Sequence, residues 1–377
     1  MHMRNVASLY QVYQLSGSSL QLGITGFFQA IPFVFFGLLG GVLADTFNRK
    51  KMIVSTQLLN LIPGMGLALL TAMGTIQVWH VNVLILATAS LQVLGGPARQ
   101  AIVPGLIPSS HLLNAVTLTT MMQQGTHLIG PVLAGYLIDF VGLDKAYFVD
   151  AALLLPSVVA VLMIHSSGQP QGTRRRITLR SLIDGFEFLW HTRIILSLFL
   201  LDFFAVLVGY YRPILPIFAG EVFNVGAGGL GALYAAPAIG ALVGSGVLLA
   251  VGNIERKGAL AVMGTALFAL SLGFLGLSKW FWMGLFAVGA LGFSDSISVA
   301  VRRTLVQLLA PDDMRGRASS FLTVFAQTTN AIGAVIAGAA AALVGASNAV
   351  LLGSLLCSAT ILAVCWAIPQ LWTYRSS

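Results

Sequence analysis

The sequence contains few charged residues. Only 8% of its 377 residues are Asp, Glu, Lys or Arg, whereas soluble domains contain about 25%. Hydrophobic residues make up 57% of the chain, and the mean hydropathy is +0.89. So little charge cannot cover a soluble globule of this size, and so many apolar residues exclude a disordered chain. We therefore expect an all-α membrane protein that lies largely in lipid.

The patterns of enzymes and metal proteins are also missing. The two cysteines, Cys357 and Cys365, lie eight residues apart in one apolar helix, about 12 Å along its axis, which is too far for a disulfide. HExxH, GxSxG, the P-loop and GxGxxG after a strand are absent. We expect no catalytic activity, cofactor or metal, so that energy comes from an ion gradient instead of ATP.

Twelve apolar runs are separated by short polar loops, and about 20 apolar residues suffice for one membrane crossing. The predicted spans are 3–15, 22–44, 52–73, 81–103, 113–139, 146–165, 194–219, 228–251, 258–278, 280–301, 317–344 and 347–370. The longest polar stretch, 166–192, separates two sets of six. The sequence thus predicts a six-helix bundle over 1–165, a linker with an interfacial amphipathic helix, and a second bundle over 193–377.

The 20 basic residues are distributed unevenly between the two sides. If the spans alternate in direction, sixteen fall on one side, and four fall on the other side or inside spans. Those four are Arg4, Lys145, Arg212 and Lys279. Basic residues concentrate on the cytoplasmic side, so we expect a cytoplasmic C-terminus. This arrangement also explains the net charge of +8 without a nucleic-acid partner.

The two halves of the sequence repeat each other. A shift of 203 pairs Arg99, Gln124, Gly130 and Gly135 with Arg302, Gln327, Gly333 and Gly338, and a shift of 205 pairs Gly23 and Gly26 with Gly228 and Gly231. Parallel six-helix repeats around a central site are typical of transporters that alternate access by rocking. The register places the partner of Ile194 about ten residues before Met1, so the first helix is expected to be incomplete.

The loop after the second span carries Gly41, Asp45, Arg49, Lys50 and Lys51 at a distinctive spacing. An ordinary cytoplasmic loop would also be basic. However, the spacing closely resembles the signature loop of the major facilitator superfamily. The resemblance implies a fold of two six-helix bundles and a loop that locks the halves in one access state without binding substrate. The second copy keeps basic residues but has Ala250 in place of Asp45, so any lock is expected to be asymmetric.

The fifth span resembles the antiporter motif of that superfamily, GPxxGG. It carries Gly130, Pro131 and Gly135, with Ala134 in place of one glycine. A Gly-Pro pair also bends helices in plain packing. Tyr10–Ser18, 179–189 and 312–317 are similar to the enterobactin-exporter-like and macrolide-efflux-like subgroup. These resemblances imply export and leave the cargo open.

Charges inside spans are costly, so each is a functional candidate. Asp202 and Asp295 are candidate carriers of a coupling proton, with a structural salt bridge or cap as the alternative. His127 can titrate near neutral pH or serve as a hydrogen-bonded packing residue. Arg212, between Tyr210, Tyr211 and a proline, is a candidate anion or aromatic-substrate contact. Pairing with an acid or reaching the outer surface is its alternative.

Six further acids are expected to be structural. Asp139, Asp144, Asp150 and Glu221 lie near the outer ends of spans and are predicted to be interfacial. A separate pair, Asp312 and Asp313, is predicted to cap the eleventh helix.

The sequence therefore predicts a monomeric transporter of the bacterial inner membrane. The leading hypothesis is proton-coupled efflux of small amphipathic compounds of drug or siderophore type. A solute importer or symporter on the same fold, or a truncated protein that does not transport, remain alternatives. The partners expected are the small-molecule substrate, protons and the lipid bilayer.

Overall fold

The computed structural model describes residues 2–165, 193–252, 256–310 and 315–367, and within them every regular element is helical. The helices are α1 His2–Ser16, α2 Ser19–Thr46, α3 Arg49–Ala72, α4 Val78–Ile102, α5 Leu112–Val141, α6 Leu143–Ala152, α7 Leu154–Leu162, α8 Arg193–Gly209, α9 Gly226–Val251, α10 Lys257–Leu277, α11 Phe281–Leu309, α12 Arg315–Val344 and α13 Ala346–Ala367. Each predicted span corresponds to one of these helices or to a consecutive pair, except the seventh, which consists of α8 and the short helical turns that follow it. The predicted linker helix, the middle of the second loop copy (253–255) and the predicted caps Asp312 and Asp313 lie outside the described residues.

Ten segments of the described chain are long and apolar enough to cross a membrane. One of them, Leu143–Leu162, consists of α6 and α7 with a break at Leu153. Another, Leu196–Val222, continues α8 through short helical turns that end in a five-residue π-helix. Of the remaining helices, α1 has 15 residues and α5 has 30. The protein is a multi-pass membrane protein.

We call α1–α7 the N half and α8–α13 the C half, and we distinguish two ends of the bundle. At the basic end, the Arg49 guanidinium donates to the Ala101 carbonyl over 2.9 Å. There too, Lys50 Nζ donates to the carbonyls of Leu162 and Ile164 over 2.9 and 2.6 Å. Cations at helix C-termini interact favourably with the helix dipole. The opposite, turn end carries the tight connections, such as Gly142 at φ 98° between α5 and α6.

One predicted boundary was wrong. The tenth span was expected to end at residue 301, but α11 continues to Leu309. The extension is held by packing, since Leu305 and Val306 are buried. It is also held by an ion pair between the Arg302 guanidinium and the Asp202 carboxylate on α8. Apolarity locates where a helix leaves the hydrocarbon, and a packed helix can extend beyond that point.

The two halves meet along two glycine seams. In one, α2 packs on α12, and a Cβ on Gly338 would lie 2.7 Å from Gly23 Cα. In the other, α5 packs on α9, and a Cβ on Gly135 would lie 2.9 Å from Gly228 Cα. Small residues allow such close backbone approach between membrane helices. The sequence repeat matches Gly23 of the first seam with Gly228 of the second, and Gly135 of the second with Gly338 of the first. The two seams are therefore related by the pseudo-two-fold axis of the fold.

The halves are closed at the turn end and separated at the basic end. None of the described side chains of α5 before Pro131 is buried, and none on α9 after Gly244 is buried. Both seams lie at the turn-end parts of these helices. The molecule is therefore in a conformation that opens at the basic end.

Candidate functional site

A cavity of about 280 Å³ lies between the two halves. It opens toward the basic end because the seams close the other end. Its polar lining residues from the N half are His2, Asn5, Gln29, Thr88, Gln92 and His127, and those from the C half are Tyr210, Arg212, Tyr234, Gln327 and Asn330. Both halves thus supply polar groups to one central site.

Arg212 is the arginine of this lining. It follows α8 and begins a single 3₁₀ turn whose next two residues, Pro213 and Ile214, are buried, while Arg212 itself is exposed. The hydroxyl of Tyr234 donates to the Arg212 carbonyl over 2.7 Å and fixes this turn. The lining contains no carboxylate among the described residues. The guanidinium therefore makes the cavity electropositive.

His127 and the antiporter-like residues are distributed between the cavity and the helix contacts. The rings of His127 and His2 are in contact, with centroids 3.9 Å apart and planes tilted by 41°. Gly130 allows α1 to approach α5, because a Cβ there would lie 2.9 Å from the His2 Cβ. Pro131 lines the cavity, whereas Gly135 lies in the α5–α9 seam. The motif residues thus shape the junction of α1, α5 and α9.

Gln29 on α2 has an unsatisfied donor at the cavity wall. Its side-chain nitrogen is buried and has no hydrogen-bond partner among the described residues. An unpaired buried amide donor is costly. The Gln29 amide can therefore donate a hydrogen bond to an acceptor placed in the cavity.

Three of the predicted cavity residues lie elsewhere. Tyr211 is 6% exposed and belongs to the apolar core. Asp202 pairs with Arg302, and both side chains are only about 15% exposed. Asp295 is exposed on α11 outside the cavity lining, and its charge acts on both Asp202 and Arg212. The structure therefore joins His127, Tyr210 and Arg212 in one site and separates the two acids from it.

Arg4 and Asp150 form a buried pair inside the N half. Arg4 Nε donates to Asp150 Oδ2 over 2.6 Å, and its Nη1 donates to Asn60 Oδ1 over 2.8 Å and Thr88 Oγ1 over 3.0 Å. The prediction that Asp150 is interfacial was wrong. The carboxylate is drawn inward because Arg4, 146 residues away in sequence, needs a counter-charge in the core.

The signature-like loop belongs to the N half and lies away from the cavity. Asn48 caps α3 by accepting the Lys51 N–H over 3.0 Å, and Arg49 and Lys50 bind helix ends as described above. Asp45 is half-buried and forms no hydrogen bond or ion pair with any described residue. Gly41, one turn earlier on α2, is half-buried beside it. In this conformation, the loop therefore leaves Asp45 available for another partner.

Comparison with known proteins identifies the family. Residues 1–374 match MFS_3, the major facilitator family described as transmembrane secretion effector. The chain belongs to this family. It is a major facilitator transporter and not an enzyme.

Sequence relatives agree with this family, and solved structures agree with the fold. The enterobactin exporters EntS of Shigella boydii serotype 18 and Citrobacter koseri are 27% and 28% identical over 334 residues, which cover 88% of this chain and 80% of theirs. A bacterial homologue of the human lysosomal transporter Spinster, inward-facing and occupied, superposes with a TM-score of 0.78 at 13% identity, covering 100% of this chain and 95% of that one. The nucleoside transporter NupG gives a TM-score of 0.74 at 12% identity, covering 97% of this chain and 96% of that one.

Sequence reasoning missed the uncharged part of this transporter's cavity. Gln29, Gln92, Gln327, Asn330 and Tyr234 line it, yet none drew attention as a candidate. The available signal was their polarity within apolar helices, where an amide also needs a partner. The sequence predictions concentrated on charged residues, whereas most residues of this lining are neutral.

A second cavity of about 350 Å³ lies toward the basic end, between α11 and α12. It is lined by Arg302, Arg303 and Thr323 among others. Gln327 lines both this cavity and the central one. The Asp202–Arg302 pair thus lies beside a cavity that shares Gln327 with the central one.

Proposed function

We propose that this transporter exports small amphipathic compounds of drug or siderophore type in exchange for protons, as a monomer in the bacterial inner membrane. The observation that carries this proposal is the central cavity between the two halves, which pairs the Arg212 guanidinium with aromatic and amide groups. Its opening at the basic end, which the distribution of basic residues assigns to the cytoplasm, fits the loading step of an exporter.

The chemistry of the lining favours an oxygen-rich, anionic or neutral aromatic cargo. A guanidinium donates two parallel hydrogen bonds to carboxylate-like oxygens, and the free Gln29 amide adds a third donor. Tyr210, Tyr234 and Phe33 offer aromatic faces. Siderophores combine acidic oxygens with aromatic or apolar parts, and the EntS relatives are named as enterobactin exporters.

Asp202 is the proposed carrier of the coupling proton. A proton on its carboxylate cancels the charge that holds Arg302, so protonation releases α11 from α8. Arg212 lies ten residues further along the same segment, so a shift of α8 would move the turn that carries the cavity cation. Protonation and cargo release are then linked through α8 and the turn that follows it.

One observation favours a second candidate, which is import of an anion together with a proton. His127 and His2 line the same cavity as Arg212. A proton bound there adds positive charge beside the cargo and strengthens anion binding. Such cooperative binding of proton and anion is the property of a symporter, so His127 separates the two hypotheses experimentally.

The test is transport of enterobactin by inverted vesicles with an imposed, inside-acidic proton gradient. Wild-type protein is expected to accumulate enterobactin only with the gradient. Asp202→Asn should lose gradient-driven accumulation but keep enterobactin exchange without a gradient. Arg212→Gln should weaken both at least tenfold, because a charge-assisted hydrogen bond contributes about 1.5–3 kcal/mol.

The matched control is Lys145→Gln, which removes a base at the turn end and should transport normally. Accumulation that needs no gradient would overturn proton-coupled export. Uptake by intact cells that is lost in His127→Gln while Asp202→Asn behaves as wild type would establish the symporter instead.

A further inference from the structure

The turn end contains an acid that bridges the two halves. Asp139 lies in the last turn of α5, in the N half. Its Oδ2 accepts the Gly228 N–H over 2.7 Å and its Oδ1 accepts the Ala227 N–H over 3.2 Å. Both donors belong to the first turn of α9, in the C half. Asp139 therefore caps a helix of the opposite half.

This contact is favourable in charge as well as in geometry. The first turn of a helix exposes unpaired N–H groups and a partial positive charge. The 26-residue helix α9 has no side-chain cap of its own, because its N-cap residue is Val225. The carboxylate of Asp139 supplies the acceptor that α9 lacks.

The backbone of α9 is adapted to this acid. A Cβ on Gly228 would lie 2.6 Å from Asp139 Oδ2, so any larger residue displaces the carboxylate. Gly226, which begins α9, has φ +63°, a conformation that favours glycine. Because neither glycine has a side chain, the Asp139 carboxylate can reach the N–H groups in the first turn of α9.

A second bond crosses the halves nearby. The Tyr13 hydroxyl on α1 donates to Glu221 Oε1 over 3.2 Å, within the π-helix Phe218–Val222. A Cβ on Gly220 would lie 2.6 Å from the Tyr13 oxygen. Two polar contacts therefore reinforce the neutral glycine seams at the end that is closed.

We propose that Asp139 is a latch residue of the transport cycle: it holds the turn end closed by capping α9, and it must release α9 each time the transporter opens at that end. The proposal rests on the alternating access proposed above. Asp139 is the turn-end counterpart of Asp45, which lies at the basic end of α2. In this structure Asp139 is bonded across the halves and Asp45 is bonded to no described residue, as expected if each acid stabilises the state that the other does not.

The experiment measures opening of the seam directly, without cargo or gradient. Ala334 is fully buried on α12 against Gly23 and Gly26. In a background with Cys357 and Cys365 replaced by alanine, Ala334→Cys reports solvent access through its rate of maleimide labelling in lipid nanodiscs. Asp139→Asn is expected to raise this rate at least fivefold, because the neutral amide accepts the α9 N–H groups more weakly.

Three further variants make the result specific. Asp144→Asn, an acid at the same end that bonds no described helix of the other half, should label as the parent does. Gly228→Ala leaves Asp139 unchanged but pushes its carboxylate away from the α9 N–H groups. This variant should label faster than the parent, and it carries the test if Asp139→Asn does not fold. Asp45→Asn should slow labelling, and the double variant with Asp139→Asn should return toward the parent rate.

Equal labelling of Asp139→Asn, Asp144→Asn and the parent would overturn the latch, as would an unchanged rate in Gly228→Ala. Because labelling needs neither enterobactin nor protons, a failed transport assay leaves this result intact. The converse also holds, since a transporter with normal proton-driven export and no change in labelling would disprove only the latch.

Discussion

The N half and the C half each tether their first helix with a buried ion pair, but they do so at different depths and with opposite polarity. In the N half the base is on the first helix, and Arg4 and Asp150 are only 3% and 4% exposed. In the C half the acid is on the first helix, and Asp202 and Arg302 are about four times more exposed. The two tethers are not repeat counterparts, because the shift of 203 pairs Arg302 with Arg99 and not with Arg4 or Asp150.

The difference shows which features the repeat preserves. The glycines of the seams obey the pseudo-two-fold relation, because close backbone contact between the halves is the same requirement on both sides. The charges do not obey it. Arg99, the repeat partner of Arg302, has no described acid opposite it and donates instead to the Gln92 carbonyl over 3.2 Å. The deep Arg4–Asp150 pair is suited to stabilising the fold because it is almost fully buried. The shallow Asp202–Arg302 pair is more exposed, so a proton can reach it.

The largest expected effect is loss of the deep pair. Arg4→Leu removes the guanidinium that pairs with the Asp150 carboxylate in the core, and loss of one partner of a buried pair should cost about 3–5 kcal/mol of stability. Thermal unfolding in detergent, followed by intrinsic fluorescence, measures this as a large fall in Tm. The double variant Arg4→Leu/Asp150→Leu should recover most of the loss. Equal instability of the single and double variants would contradict the assignment of the pair.

Loss of the shallow pair should cost less. Arg302→Gln removes a charge-assisted contact that water can partly replace, so we expect a loss of roughly 1–2 kcal/mol in the same unfolding assay. Its effect on stability should shrink in high salt more than that of Arg4→Leu. A loss as large as that of Arg4→Leu would remove the contrast between the two halves.

The smallest effect is expected at the loop of the N half. Lys50→Gln removes a cation from the C-terminal end of α7 and should lower stability by about 0.3–1 kcal/mol. Lys51→Gln is the matched control, since the exposed Lys51 contributes its backbone N–H to the Asn48 cap and that bond remains. Indistinguishable Tm values for the two variants would show that Lys50 does not clamp α7.

The sequence predicted the scaffold well because lipid imposes simple rules on it. Apolar runs located the helices, and the repeat register correctly matched the glycines that form the seams. The assignment of the basic end to the cytoplasm stays a prediction. The boundary at residue 301 was wrong because packing, which hydropathy does not report, extends α11.

The polar interior was predicted less well, for a physical reason. Whether Asp150 faces the outer surface or Arg4 depends on contacts between residues far apart in sequence. Tyr210 and Tyr211 are adjacent, yet one lines the cavity and the other packs in the core, because the chain leaves regular helix after Gly209. Sequence periodicity cannot assign faces in such an irregular turn.

The glycine seams have a consequence for the electrical behaviour of transport. Moving one elementary charge through the membrane potential changes the free energy by about 2.3 kcal/mol per 100 mV. The seam glycines carry no charge, so the membrane potential acts on the opening of the seams only through charged groups beside them, such as Asp139. The protein returns to its starting state after each turnover, so the net charge carried per turnover is that of the cargo and of the protons that we propose are exchanged for it. A recording of the transport current therefore measures their stoichiometry.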